Sequence, residues 1–466
     1  MRRRRATSLA LFGSLALAGL ARGADLSLSA AWQAAITHDP TFAAARAQRD
    51  AGRTQDQQAL ALWLPTLSAT GSTGRGDLDS HTRGAAFAAP GFGSTTGVDF
   101  RTSITGGTAT RWSIMAEQPL FDAARLAGAR ELRTGARQAQ VQFHAAEQAL
   151  ALRTARSYFD VLNARATVES LQRLRAAAER ARAVAQGRYE AGDIPVTDMR
   201  EAQATADSVG VQQLEARDAL ALAQAGFTDL TGLDAGSLQP PAPDAGLDAA
   251  PPESLETWTQ RALAGNPQLA AQRLAAERAG AEVGRYGALT SPRLSIVAQA
   301  GREALSGDGD FGSAGVTQRQ AAVALQASIP LFTGGMRSAQ RHEARALQRA
   351  AEAGVAAAEL EVRQQTRAAW LRLTTAAARV QALERLHQSA ASRLDATRIG
   401  VESGGRTVLD LLGAEGDYLR TDADLTRAQT DWLYARLELA ATAGELGESE
   451  LGAVDRHLVA PAAPVP

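Results

Sequence analysis

Period-two alternation of apolar and polar residues, the mark of strands, recurs along the chain. In one segment Val323, Leu325, Ala327 and Ile329 face one way and Ala322, Ala324, Gln326 and Ser328 the other. In another, Trp112, Ile114 and Ala116 alternate with Arg111, Ser113, Met115 and Glu117. Each is preceded by a segment that alternates less cleanly. Strands are therefore predicted at about 64–78 and 108–121, and again at 293–305 and 317–332. The polar, glycine-rich segments between them, 79–107 and 306–317, are expected to be loops. Beyond each second strand the pattern turns helical and stays so. Residues 123–190 and 335–402 each run 68 positions without proline. At about 1.5 Å per residue each predicts a rod of ~100 Å, against ~30 Å for a small domain. Val380, Leu383, Leu386, Ala390 and Leu394 form a coiled-coil-like stripe, and alanine at most other stripe positions allows close helix approach. Shorter helices are predicted at 28–62, 196–230, 254–289 and 408–446, about half the length of the long ones. Two of them end to end would match one long helix.

These elements occur twice because the sequence does. Trp32-Gln-Ala-Ala-Ile-Thr-His-Asp-Pro40 is echoed by Trp258-Thr-Gln-Arg-Ala-Leu-Ala-Gly-Asn-Pro267. Pro65 returns as Pro292, Pro119-Leu-Phe121 as Pro330-Leu-Phe332, and Val168–Leu174 as Val380–Leu386. Gly192-Asp-Ile-Pro-Val-Thr-Asp198 aligns with Gly404-Gly-Arg-Thr-Val-Leu-Asp410. Five matches in one order mean a duplicated unit of about 200 residues. The offset falls from 227 at the first proline pair to 211 at the second, which puts a length difference between the two proline-bounded segments, where a loop is expected. The fold class is mixed α and β: a duplicated helix–strand–strand–helix–helix unit with long coiled-coil-like helices. Its repeats are expected at 24–237 and 253–446, joined by a proline-rich linker at 238–252 and followed by a disordered tail at 447–466.

Four arginines at 2–5, an apolar run from about 9 to 21 and Ala21-Arg22-Gly23 predict a secretory signal over 1–23. Its removal takes five arginines and no acids from the 49 basic and 50 acidic residues, leaving a chain acidic by six. No later stretch reaches the ~18 apolar residues of a spanning helix. With no cysteine there are no disulfides, no thiolate zinc sites and no lipidated N-terminal cysteine. The charge balance gives no reason to expect nucleic acid. Enzyme readings fail as well. Gly307, Gly309 and Gly312 spell Gly-x-Gly-x-x-Gly, but in a polar loop with no helix after it. Asp308-Gly-Asp310 stops short of a calcium-loop pattern, and the six histidines are scattered. No cofactor or metal ion is expected. Phe87, Phe92, Phe100, Trp112 and Phe311 suit either an interfacial aromatic girdle or a plug at a barrel mouth.

Strands of ten to fourteen residues are long enough to cross an outer membrane at ~9–11 residues each. Four cannot close a barrel, which needs about eight. Either the strands form a soluble sheet on a coiled-coil scaffold, as in a periplasmic adaptor, or several chains pool them. The Pro119 and Pro330 strand ends, the helix turns at 192–198 and 404–410, and the duplicated architecture resemble the TolC family of outer-membrane efflux and export ducts, over about 28–446. The resemblance implies a homotrimer with a shared twelve-strand transmembrane β-barrel in outer-membrane lipid and a twelve-helix periplasmic tunnel. It also implies a mixed equatorial region built from the linker and termini. The implied partners are a periplasmic adaptor (a membrane fusion protein) and an inner-membrane pump, and the lack of an N-terminal cysteine is similar to the non-lipidated branch. Carried over residue by residue, it implies that Arg406 and Asp198 tie the closed periplasmic end, with Thr197 beside the aspartate. Asp410 takes the place of an acidic lumenal ring, and Gly192, Gly404 and Gly405 form the turns that an adaptor grips. Gly413 stands where the family has a second acid, and Val401 where it often has a tyrosine.

Overall fold

The computed structural model describes residues 26–91, 93–242, 253–286, 291–310 and 312–458. The expected signal at 1–23, most of the linker, the end of the tail, and Phe92 and Phe311 lie outside the described residues. The chain divides into two units. One comprises Ala44–Ala146 and Gly265–Arg363; the other comprises the described part of Met1–Ala43, Glu147–Ala264 and Gln364–Pro466.

The first unit carries one antiparallel sheet in the order β1 (Thr66–Ala89), β2 (Gly93–Asp122), β3 (Arg293–Gly309), β4 (Gly312–Ser328). The strands are longer than expected, and segments 79–107 and 306–317 are ladder for most of their length rather than loop. Their glycine, serine and threonine gave no apolar alternation because little there is buried; backbone pairing and cross-strand ties such as Arg101–Asp79 hold them. The longer first hairpin absorbs the repeat-length difference, so the extra residues are strand. Register sorts the side chains of all four strands by polarity. Leu67, Ala116, Ala298 and Val323 share one row, and Ala69, Ile114, Ala300 and Ala321 the next, all on one face. Ser68, Met115, Gln299 and Ala322 lie on the other face, as do Ser72, Arg111, Glu303 and Gln318. Both faces are open in the single chain: Val323 is 76% exposed and Leu325 66%.

Where β1, β2 and β3 shift register together, the backbones crowd. A Cβ on Gly307 would lie 2.6 Å from Gly107 Cα and 2.9 Å from Thr105 O, so only glycine fits. The two Pro-Leu-Phe repeats differ here. Pro119 sits inside β2, opposite Ser295 at a bulge, whereas Pro330 lies beyond β4, which ends at Ser328 because its partner β3 begins at Arg293. The predicted strand to 332 is thus too long.

The helices follow the duplication. α1 (Leu28–His38) and α2 (Pro40–Ala61) replace the single helix predicted at 28–62, and α5 (Leu255–Gly265) and α6 (Pro267–Arg285) replace the one predicted at 254–289. The breaks are the Asp-Pro and Asn-Pro of the echoed motif. The Asp39 carboxylate accepts from the Thr41 and Phe42 amides, and Asn266 from Gln268 and Leu269. Each proline takes the first helical position, where its missing N–H leaves nothing unsatisfied. The long helices are α3 (Ala123–Glu190) and α7 (Met336–Glu402), returning as α4 (Val196–Thr231) and α8 (Val408–Thr442).

In the second unit Leu28, Tyr158, Phe227, Leu238, Leu433, Leu437, Leu439 and Leu451 are fully buried. Around Tyr158 the N-terminal segment and linker are tied together. Leu26 bridges Leu238 in parallel, and the Tyr158 hydroxyl lies 2.8 Å from Leu26 O and 3.1 Å from Gln239 O. Disorder was expected over 447–466, but the described part of the tail, to residue 458, is ordered. Residues 448–455 form helix α9 (Glu448–Asp455), with Leu451 and Val454 buried, and the chain continues to a bridge between Leu458 and Pro241. Asp455 accepts from the Leu28 and Ser29 amides, placing an anion on the N-terminus of α1.

Candidate functional site: the helix-turn gate

Each long helix ends in the same turn. Gly192 (φ 83°) and Gly404 (φ 75°) adopt the left-handed conformation. The following amides, Asp193 N–H and Gly405 N–H, reach back to Arg188 O and Gly400 O at 2.8 Å. This is a Schellman turn, and it requires glycine at the left-handed position. It accounts for Gly192 and Gly404 structurally; Gly405 donates the closing hydrogen bond.

Past the turns the two copies diverge. Thr407 caps α8: its hydroxyl accepts from Asp410 N–H (3.1 Å), and one Asp410 carboxylate oxygen accepts from Thr407 N–H (2.9 Å). These hydrogen bonds, from the Thr407 backbone first and then its side chain, hold the Asp410 pKa below the ordinary carboxylate value, with Arg406 adding to the effect. In the first copy the cap position is Pro195, which has neither hydroxyl nor N–H. Asp198, the counterpart of Asp410, therefore has no reciprocal box to join. Its carboxylate accepts from the neighbouring Thr197 hydroxyl at 3.1 Å and is half-buried. The Pro195–Thr407 difference is legible in the aligned turns.

Arg406 is exposed, and its stem lies over Gly400, where an added Cβ would meet Arg406 Cγ at 2.8 Å. Among the described residues no ion pair joins Arg406 to Asp198 within one chain. The sequence pairing of the two residues is thus not made inside a protomer. Val401 is half-buried and Gly413 exposed, so neither adds a hydroxyl or a carboxylate.

The tips are held by an apolar contact of Ala177, Ala178, Ala181, Ala206 and Leu412, with Leu174 and Val408 against it. Farther along, charge pairs join the helices: Arg180–Glu415 (3.7 Å), Arg393–Asp417 (2.7 Å) and Arg173–Asp422 (3.9 Å), with the His387 ring 3.4 Å from the Asp422 carboxylate. All have at least one partner substantially exposed, and each contributes only ~0–1 kcal/mol. The seam at the tips is thus apolar and mostly of alanine size, and the polar ties beyond it are weak and exposed. The other sequence candidates do not converge. Gly307, Gly309 and Gly312 lie in the β3–β4 hairpin, and Asp310 accepts from Ser103 Oγ.

The sequence profile of a family described as outer membrane efflux protein matches residues 31–233 and 258–445, one segment per repeat. The chain is 28% identical over 451 residues to the alkaline protease secretion protein AprF of Pseudomonas aeruginosa, covering 96% of this chain and 91% of that one. It is 27% identical over 323 residues to the outer membrane protein TolC of Vibrio cholerae, covering 69% and 74%. Among solved structures, the outer membrane protein VceC of Vibrio cholerae superposes with a TM-score of 0.67 at 19% identity, covering 90% of this chain and 96% of that one. Long helices in duplicate, a four-stranded sheet sorted into polar and apolar faces, and a profile match in both repeats lead to one conclusion: the chain belongs to the outer membrane efflux protein family, whose members are channels of the outer membrane with a periplasmic helical tunnel.

Proposed function

We propose that three copies of this chain pool their sheets into one twelve-stranded barrel and their helices into a tunnel, forming a passive exit duct for a type I secretion system. The observation that supports pooling is the sheet itself. β1 and β4 are each paired on one side only, and four strands cannot close on themselves. An apolar face turned to lipid and a polar face turned to the lumen would satisfy both sides at once. A protein cargo is favoured because the relative matched over more than nine-tenths of both chains is a protease secretion protein, whereas the TolC match is shorter. Energy would come from an inner-membrane pump, transmitted by a periplasmic adaptor gripping the turns at Gly192 and Gly404.

The gate in this reading is the Arg406 guanidinium of one protomer paired to Asp198 of the next. Pro195 keeps Asp198 out of a capping box, so its carboxylate remains available. Asp410, held ionised by its cap, would contribute three negative charges around the axis and favour cations there. The test is conductance in planar bilayers. Arg406→Ser and Asp198→Asn should each raise single-channel conductance, and the double variant should add little to either. Unchanged conductance in both would remove the gate and leave the duct standing. A protein that extracts from the outer membrane as a monomer, with and without boiling, would remove the pooled barrel.

A further inference from the structure

The apolar face of the sheet ends on two arginines. Arg302 of β3 and Arg319 of β4 are direct partners in the register, so both side chains stand on the face that carries Ile114, Ala300 and Val323. Trp112 of β2, 49% exposed, is the next residue in the same row. Directly opposed residues on antiparallel strands have Cβ atoms about 4.5–5.5 Å apart, and like charges there repel. Among the described residues neither arginine has an ion pair or a side-chain hydrogen bond. No carboxylate stands beside them: the adjacent strand acid Glu303 lies on the opposite, polar face with Arg111 at 2.5 Å, and Asp308, on the same face as Arg302, is six residues farther along β3. Arg75, two rows farther out on β1, faces the same way as Arg302 and adds a third cation.

The position along the strand is as telling as the charge. Nine residues separate Arg302 from Arg293, which marks the base of the sheet beside Asp122. At about 3.3 Å per residue that is ~30 Å along the strand, or ~23 Å along the barrel axis at a tilt near 40°. The apolar band of an outer-membrane barrel is about 25 Å tall. The row Trp112–Arg302–Arg319 therefore sits at the far rim of the band, away from the helices, where the outer-leaflet headgroups begin. Tryptophan is at home at that depth. Two guanidinium forks side by side match the oxygens of a phosphate, each able to bind it bidentately, and the anion removes their mutual repulsion.

We propose that Arg302 and Arg319, with Trp112 beside them, form a lipid-facing site for the phosphate of an outer-leaflet glycolipid headgroup. The site rests on the strands crossing the outer membrane and is independent of the gate. It is tested by native mass spectrometry of the full-length assembly in detergent. The protein is titrated with doubly phosphorylated lipid A, with the same lipid stripped of its phosphates, and with inorganic phosphate. The phosphorylated lipid should bind at least about tenfold more tightly than the stripped one, the size of effect two charge-assisted contacts supply. Arg302→Gln with Arg319→Gln should abolish that preference, Arg302→Lys with Arg319→Lys should keep part of it, and Arg111→Gln on the polar face should leave it intact. Equal binding of the two lipid forms by the wild-type protein overturns the site, and that comparison decides even if the double glutamine variant fails to assemble. Displacement by equimolar inorganic phosphate, or an equal loss in Arg111→Gln, overturns it too.

Discussion

Tyr158→Phe isolates the tie that holds the N-terminal segment and the start of the linker to α3. The Tyr158 ring is fully buried, with edge contacts to Phe159 and Phe227 at centroid distances of 5.8 and 6.3 Å, and phenylalanine preserves all of that. What disappears is one oxygen that donates toward Leu26 O and Gln239 O and accepts from Gln239 N–H at 2.9 Å. A hydroxyl has a single hydrogen, so the loss amounts to one donated and one accepted hydrogen bond at a half-buried site. Removing the partner of a buried polar group costs about 1–3 kcal/mol, and two such groups with partial access to water suggest about 2 kcal/mol. That energy should appear locally, because the segment's other backbone tie to its neighbour, Leu26 N–H to Ser237 O at 2.9 Å, opens with it. Amide hydrogen exchange is the assay. A drop of about 2 kcal/mol in opening free energy predicts roughly thirtyfold faster exchange at Leu26 and Gln239, with the middle of α3 unchanged. Exchange at Gln239 within threefold of wild type would show that the hydroxyl does not hold the segment. Acceleration spread evenly along α3 would assign the effect to packing instead.

Two further outcomes follow from the same geometry. Burial works to raise the Asp39 pKa, but hydrogen bonds from Thr41 and Arg153 and the charge of Arg153 outweigh it, so the carboxyl lies below its ordinary value. A depressed carboxylate stabilises the fold above the unfolded-state pKa of about 3.9 and loses that contribution as pH falls through the lower folded value. Asp39→Asn, which retains a cap but not the charge, should flatten the acid limb of a thermal-unfolding series below about pH 4, and an unaltered limb would remove Asp39 as its source. Gly307→Ala places a Cβ against the backbone of β2 and should cost more than the ~1 kcal/mol usual for a strand glycine; the measurement is the fraction of the assembly that survives without boiling on a gel, with no change refuting the crowding.

The duplication was legible because it needed only residue identity. The turn glycines, the long helices and the Asx-Pro echo all carried through to the structure at matching positions. What the echo meant was less legible: Asp39-Pro40 and Asn266-Pro267 read as parts of continuous helices, because apolar periodicity on either side hides a break made by one cap and one proline. The strands were underestimated for a related reason. Alternation reports burial on one face, and the upper parts of β1 and β2 bury almost nothing, so their pairing left no apolar signature. The first part of the tail was missed because of composition. The tail's proline-rich end suggested disorder, while Leu451, Val454 and Asp455 just before it dock on α1 through contacts hundreds of residues away in sequence.

Local chemistry along the chain was enough to determine where the two long helices turn, where glycine must sit, which strand residues are apolar, and that everything occurs twice. Those are effects of neighbours within a few residues, and the sequence contains those neighbours. Register and long-range contact belonged to the tertiary structure. A shift of one residue between β3 and β4 would part Arg302 from Arg319, and the alignment is selected by the polarity of both strands together with their turn, not by either strand alone. The same holds at the proposed gate. Arg406 and Asp198 lie on different repeats, and in one chain they form no ion pair, so a link between them depends on how copies assemble. Pairwise geometry between distant segments is set by the summed burial and hydrogen bonding of whole elements, which is why it appears only once the chain is folded.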